Sequence, residues 1–266
     1  MKNFKTANIN HNQMRMLTLI TYLIFTVVSV SGHNDTKAKD MFEKSKQKMS
    51  LNNVSMILDL ETLDKRGDKK SKTLSVSFAE FEDQKKVLIE FIAPEIVNGT
   101  KILTTHFPSK KGLIEIYTPA NGRIQRIKAN QHNLKIMGSK IPISQFVSQD
   151  DPDFKYTHLG NEMHNGTECH KIRMQKEGKK KYLDAFVSVE NGNLLGIEKF
   201  DTHNKLISVT NLSDYIKIDT PAAIKFFPQK IVVKNIKTGE SSFLTIREVK
   251  SLGEASIDYF TLVSTN

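Results

Sequence analysis

Apolar residues recur at every second position along most of this chain, and that period of two limits the fold more than any other feature of it. In "SMILDLETLD" Met56, Leu58 and Leu60 alternate with Ile57, Asp59 and Glu61; in "KTLSVSFAEF" Leu74, Val76 and Phe78 alternate with Ser75, Ser77 and Ala79. Successive side chains of an extended chain point to opposite faces, so these stretches read as strands. A polar turn over 65–70 joins them, and then the pattern repeats. "KKVLIEFIAP" stops at Pro94, "TKILTTHFP" at Pro108 and "GLIEIYTP" at Pro119, and "GRIQRIKA" follows the turn signal Asn121-Gly122. Further strands are expected near 154–163, 168–175, 182–189, 195–200, 206–216, 228–235 and 241–249. Turns at Asn165-Gly166, Asn191-Gly192, His203-Asn204 and Lys237-Thr238-Gly239 separate them. Connections this short pair neighbouring strands antiparallel.

About a dozen strands with few helices predict a mainly β (α+β) fold: one large antiparallel sheet curled into a barrel or half-barrel, with a few helices over its mouth. Two helices are expected. In "DTKAKDMFEKSKQKMS", 35–50, Ala38, Met41, Phe42, Ser45 and Met49 share one side and lysines the other. A short helix is expected over 142–147. Several strands are apolar on both faces, as in "VLIEFIA", where Val87, Ile89 and Phe91 oppose Leu88 and Ile92. Either something covers the outer face, or the inner face lines a cavity while the outer packs elsewhere.

The N-terminus predicts export. Lys2, Lys5 and Arg15 precede the uncharged run "MLTLITYLIFTVVSVSG", which ends in small residues near Val30-Ser31-Gly32. A basic start, an apolar core and a small-residue exit are the plan of a cleavable signal peptide, here 1–32. The apolar core, 17–30, is shorter than a membrane span usually needs, although a retained anchor is the rival reading. The remainder, 33–266, reads as a single domain, long enough to bury a sizeable core. Cys169 is the only cysteine, so no intramolecular disulfide can form and no lipid-modified cysteine stands at the signal exit. With 39 Lys+Arg against 29 Asp+Glu the formal charge is +10. The lysines that supply most of it are scattered, as expected of a solvated surface.

The signatures of most catalytic sites are absent. There is no phosphate-cradling glycine loop after a strand and no Gly-x-Ser-x-Gly elbow. His158, His164 and His170 form a six-residue ladder, but zinc more commonly takes closer pairs, so no metal is expected. Cys169 and His170 resemble a nucleophile pair on paper; neighbours on a strand point to opposite faces, and a buried structural cysteine is the expectation. No cofactor is expected. With no Trp, aromatics not interleaved with Arg, and an export signal, nucleic acid is not an expected partner.

Four stretches, "FIAPEIVNGTKILT", "IYTPANGRIQRI", "MGSKIPISQF" and "SDYIKIDTPAAIKFFPQKIVVKNIKTGESSFLTIREVK", in that order resemble the outer-membrane lipoprotein-sorting proteins, the wider relatives of the periplasmic carrier LolA. The resemblance covers roughly 35–262. The chain departs from that pattern at Gln125, where an arginine is usual, in "KIPISQF" after Met-Gly-Ser, and in "IDTPAAIKFFP". The resemblance implies a LolA/LolB-like incomplete barrel whose apolar cavity holds acyl chains, in a periplasmic monomer of a Gram-negative bacterium. It also implies an inner-membrane transporter as donor and an outer-membrane acceptor. By alternation the candidate lining residues are Met56, Leu58, Leu60, Leu74, Val76, Phe78, Val87, Ile89 and Phe91, the other face remaining the alternative. Arg123 and Arg126 are candidate rim cations, for a lipid headgroup or a partner's carboxylates. The rival functions are a periplasmic hydrolase or metal enzyme using the histidines, and an envelope sensor or structural module of the same fold that transports nothing.

Overall fold

The structure is a computed structural model that describes residues 35–107, 112–128, 136, 139–141, 154–220 and 223–263. They belong to one compact unit, Asn34–Asn266. The expected signal peptide and the expected helix over 142–147 lie outside the described residues.

Among the described residues thirteen strands form one antiparallel sheet. They are β1 (Val54–Leu63), β2 (Lys69–Phe81), β3 (Gln84–Ala93), β4 (Lys101–His106), β5 (Leu113–Thr118), β6 (Arg123–Lys128) and β7 (Phe154–His164), then β8 (Thr167–Lys176), β9 (Tyr182–Ser188), β10 (Leu194–Phe200), β11 (Leu206–Asp219), β12 (Ile224–Asn235) and β13 (Ser241–Ser251). The sheet runs β6-β5-β4-β3-β2-β1-β13-β12-β11-β10-β9-β8-β7. Every neighbour in sequence is a neighbour in space, as short turns require, except where β1 meets β13 in the middle and β6 and β7 become the two unjoined edges. The sheet is therefore not closed into a barrel.

Register gathers the alternating apolar sets onto one face, called inner here. Across β5 to β13 one row runs Ile116, Ile102, Ile89, Val76, Met56 and Val249; a second links Phe91, Leu74, Leu58 and Ile246; a third links Leu60, Leu244, Ile231 and Leu212. Apart from Leu212, which belongs to the second core, these residues belong to the first core or pack against it, and Ile136 and Ile141 complete it from the connection between β6 and β7. That connection is fastened where Lys140 N donates to Ser242 Oγ at 2.9 Å and its ammonium pairs with Glu240 at 2.7 Å.

Among the described residues one α-helix, α1 (Thr36–Met49), builds the second core. The Asp35 carboxylate caps it by accepting from Ala38 N at 3.0 Å, satisfying an N–H that a helix end leaves without a partner. Ala38 and Phe42 are buried with Tyr156, Ile172, Ala185, Val187 and Leu194, and Met41 and Met49 pack alongside, the side expected from the 3.6-residue spacing. The outer face of β2–β4 is covered in part, which accounts for Leu88 but not for Ile92, which is exposed. Phe260, from a 3-10 turn (Ile257–Phe260), packs on Ala79, Leu88 and Leu103.

Candidate functional site

The hairpin of β11 and β12 separates the two cores. Its ladder with β13 holds only from Lys230↔Thr245 to Lys234↔Ser241. Beyond that, β12 follows β11 while β13 follows β1, and Pro228, which has no N–H to donate, stands at the parting. Asp214 lies close by in the left-handed backbone region at φ 54, its carboxylate 2.7 Å from the Lys230 ammonium. One side of the hairpin is tied to α1. The Tyr215 hydroxyl donates to Leu194 O and lies 3.6 Å from Met49 Sδ, Lys225 Nζ donates to Gln47 O at 3.0 Å, and Lys48 sits over the Phe226 ring. Burial pushes the Tyr215 phenol well above the ordinary tyrosine range, so it stays a neutral donor.

The other side of the hairpin opens on a cavity of about 320 Å³, lined by the aliphatic Ile216, Ile218, Ile246 and Val249 and by the polar Lys217, Asp219, Gln229, Arg247 and Ser251. Its apolar residues belong to the first core or pack against it. The apolar interior thus continues into an open cleft between β12 and β13. A space of this size is at the lower end for a ligand pocket, and its lining is mixed, four aliphatic side chains beside five polar or charged residues.

The nine residues expected to line a cavity come together. Met56, Leu58, Leu60, Leu74, Val76, Phe78, Val87, Ile89 and Phe91 share the inner face and are 0–6% exposed. They form the packed floor of the first core, and of the inner rows only Ile246 and Val249 at the parting reach the open cleft.

The two arginines separate. Arg123 follows the turn at Gly122, whose φ of 62 is left-handed, and lies by alternation on the same side of β6 as Ile127. Arg126 lies on the opposite side. It pairs across the strands with Glu115 on the outer face, Nε donating to Oε1 at 2.9 Å, because Glu115 alternates with the inner-facing Ile114 and Ile116.

Lys72 was not singled out by sequence reasoning. It pairs with Leu60 in register, so it stands on the inner face at the rim of the first core. Burial, with Lys70 adding to it, holds its ammonium below the ordinary lysine range. The signal was there: Lys72 continues the alternating set of Leu74, Val76 and Phe78.

The histidines do not gather. The His158 and His170 rings are 5.2 Å apart, edge to face, with His170 Nδ1 2.9 Å from Asn161 Oδ1. His164 lies elsewhere, stacked on Phe186 at 4.2 Å and 3.2 Å from Asn211 Oδ1. Gly196 makes room for that ring, since a Cβ there would stand 2.3 Å from His164 Nε2. Among the described residues no group of three or more His, Cys, Asp or Glu is placed to hold a metal. Cys169 is buried, and burial, with Glu168 adding, raises its thiol above the ordinary range. Among the described residues no helix is long and apolar enough to cross a membrane.

A family model whose description reads "Uncharacterized protein" matches residues 83–264. No curated protein matches the chain. Three of the solved structures similar to this chain illustrate the likeness. One is a domain from Vibrio parahaemolyticus described as outer membrane lipoprotein-sorting, with a TM-score of 0.72 at 17% identity, covering 85% of this chain and 96% of that one. Another is a DUF1329 family protein from Desulfovibrio piger, with a TM-score of 0.73 at 17% identity over 86% and 97%. The third is a LolA superfamily protein from Nitrosomonas europaea, with a TM-score of 0.64 at 14% identity over 85% and 97%. At these identities the likeness is one of fold.

Proposed function

This chain belongs to the family matched over residues 83–264, one with the LolA-like fold, and on that premise we propose that it is an exported carrier of acyl chains. In this reading residues 1–32 are a cleaved signal peptide and 33–266 a single, monomeric carrier domain. The carrier takes acylated cargo, lipoprotein or lipid, from an inner-membrane donor across the periplasm to an outer-membrane acceptor.

The observation that carries the proposal is the inner apolar face, which runs from β5 through β1 to β11 and reaches solvent in the cleft between β12 and β13. Hiding a methylene from water is worth about 0.8 kcal/mol, so a carrier of hydrocarbon needs apolar surface and little polar chemistry. The nine floor residues are covered in this state. In this reading cargo enters at the cleft, beside Ile246 and Val249. Arg123 and Lys72 stand as candidate cations for a headgroup.

Filling the cleft tests this. Val249→Trp places a large ring against Ile216 and Ile246, and a fluorescent fatty acid is expected to bind at least about tenfold more weakly, a loss of about 1.4 kcal/mol, while the melting temperature moves little. Unchanged affinity would move the site away from the cleft. Failure of the unsubstituted protein to take up the probe would contradict the carrier itself.

A further inference from the structure

Two histidines border the second core. His158 of β7 pairs in register with Ile172 of β8, and His170 stands two residues before Ile172, so both rings lie on the face that α1 covers. They meet edge to face at 5.2 Å. A bulge builds the contact. The register shifts between His158 and Asn161, with Gly160 at a φ of 103 that favours glycine, and the extra residue brings Asn161 rather than Gly160 opposite His170. His170 Nδ1 then lies 2.9 Å from Asn161 Oδ1, and Asn161 Nδ2 donates to Glu168 Oε1 at 2.9 Å. The His158 ring is not served in this way. Its Nε2 is buried with no hydrogen-bond partner among the described residues, so a proton there finds no acceptor.

Charged groups reach the pair from two elements. From α1 come the Asp35 carboxylate, which faces His158, and the Lys37 ammonium, which faces His170; β8 adds Glu168, and β9 places the apolar Val187 opposite His170. Burial holds the His170 ring below the ordinary histidine range, His158 and Lys37 add to this, and Glu168 acts the other way. The fold therefore accommodates the neutral ring. The first turn of α1 is seated at this spot, where Asp35 N donates to Tyr156 O at 2.9 Å and Phe42 lies against the Tyr156 ring. A charged His170 would stand between a second imidazole and a lysine beside that seat.

We propose that the contact of His158 with His170 is an acid-sensitive clasp, which seats the first turn of α1 on β7 and β8 while both rings are neutral and loosens it when His170 takes up a proton. Linkage sets the sign. A histidine kept neutral by the fold contributes its stability in full above the ordinary value of about 6.5 and loses it as the pH falls below. The Asp35 carboxyl, held low mainly by the Ala38 N–H, gives up its own contribution only below the ordinary aspartate value of 3.8, in a separate window. Loosening uncovers Tyr156 and Ile172, so pH sets how firmly α1 closes the second core. The clasp does not depend on the carrier reading.

The test uses residues 33–266, which hold the whole compact unit Asn34–Asn266. Amide hydrogen exchange along α1, corrected for intrinsic rates, is compared at about pH 7.5 and about pH 5.5, on either side of the ordinary histidine value. Opening at residues 39–42 is expected to rise at least about threefold at the lower pH in the parent and to stay level in His170→Asn, which keeps a donor for Asn161 and cannot titrate. The second readout is the titration of the His170 ring by nuclear magnetic resonance. His158→Phe keeps a ring at the contact and removes its charge, and the His170 titration is expected to move up towards that of a free histidine. Equal protection of α1 at both pH values in the parent overturns the proposal, and so does an acid response that persists in His170→Asn. A His170 titration that His158→Phe leaves where it was overturns it as well, and decides the matter even where His170→Asn fails to fold.

Discussion

Replacing Arg173 by alanine will lower the unfolding free energy by about 2–4 kcal/mol, read from urea denaturation as a lower midpoint at unchanged slope. Asp184 in β9 has a side chain only 1% exposed, and Arg173 in β8 answers it with two bonds, Nε and Nη2 to the two carboxylate oxygens, each 2.8 Å. The guanidinium also lies 3.9 Å from the centre of the Tyr182 ring, which stacks on Phe200. Removing it leaves a buried carboxylate without its counter-charge. The range is set somewhat below the usual cost of breaking a buried pair because the Arg173 side chain is itself 34% exposed, so water can partly replace it. Arg173→Lys keeps the charge and loses the two-pronged geometry, and its midpoint should fall between the other two. An alanine variant that unfolds at the parent midpoint would show that this pair does not hold β8 to β9.

Phe91→Ala is expected to cost about 3–5 kcal/mol, as truncation of a large buried ring does when its surroundings relax only in part. Phe91 is fully buried and faces Leu74 across the β2–β3 ladder. Its backbone is held independently, the N–H donating to Thr100 O and the carbonyl accepting from Gly99 N, both at 2.9 Å, so the loss falls on packing alone. The same experiment with acyl ligand present bears on the carrier reading. A ligand that binds only the folded state adds about 2.7 kcal/mol at a hundred times its dissociation constant, so part of the loss should return. A loss below about 1 kcal/mol would mean that the floor is loosely packed around this ring.

Much of the fold was legible because strand chemistry is local. Alternation in "SMILDLETLD" and "KTLSVSFAEF" and the stops at Pro94 and Pro119 are read from a few neighbouring residues, and these strands form where the period of two places them. Parity likewise put Met56, Leu74 and Ile89 on common faces. What it could not supply is anything decided by a partner strand. Arg126 differs from Ile127 by one position, but its role depends on Glu115, eleven residues away and known to be opposite only once β5 and β6 are in register. The Arg173–Asp184 pair, too, appears only when β8 and β9 are aligned. The cleft is the most distant of these consequences. Pro228 marks it locally, yet it exists because β13 turns to join β1, nearly two hundred residues earlier in the chain. Lys72 lay within reach of alternation, and it was passed over because attention rested on the apolar members of its set.

The central claim, that this chain carries acylated cargo on its inner face, is most directly met by native mass spectrometry of the protein purified gently from the periplasm. The account predicts a species heavier than the polypeptide by the mass of an acylated molecule, lost on delipidation and regained when an acyl ligand is supplied. A protein that arrives at its polypeptide mass alone, and that takes up no acyl probe after purification, would contradict it.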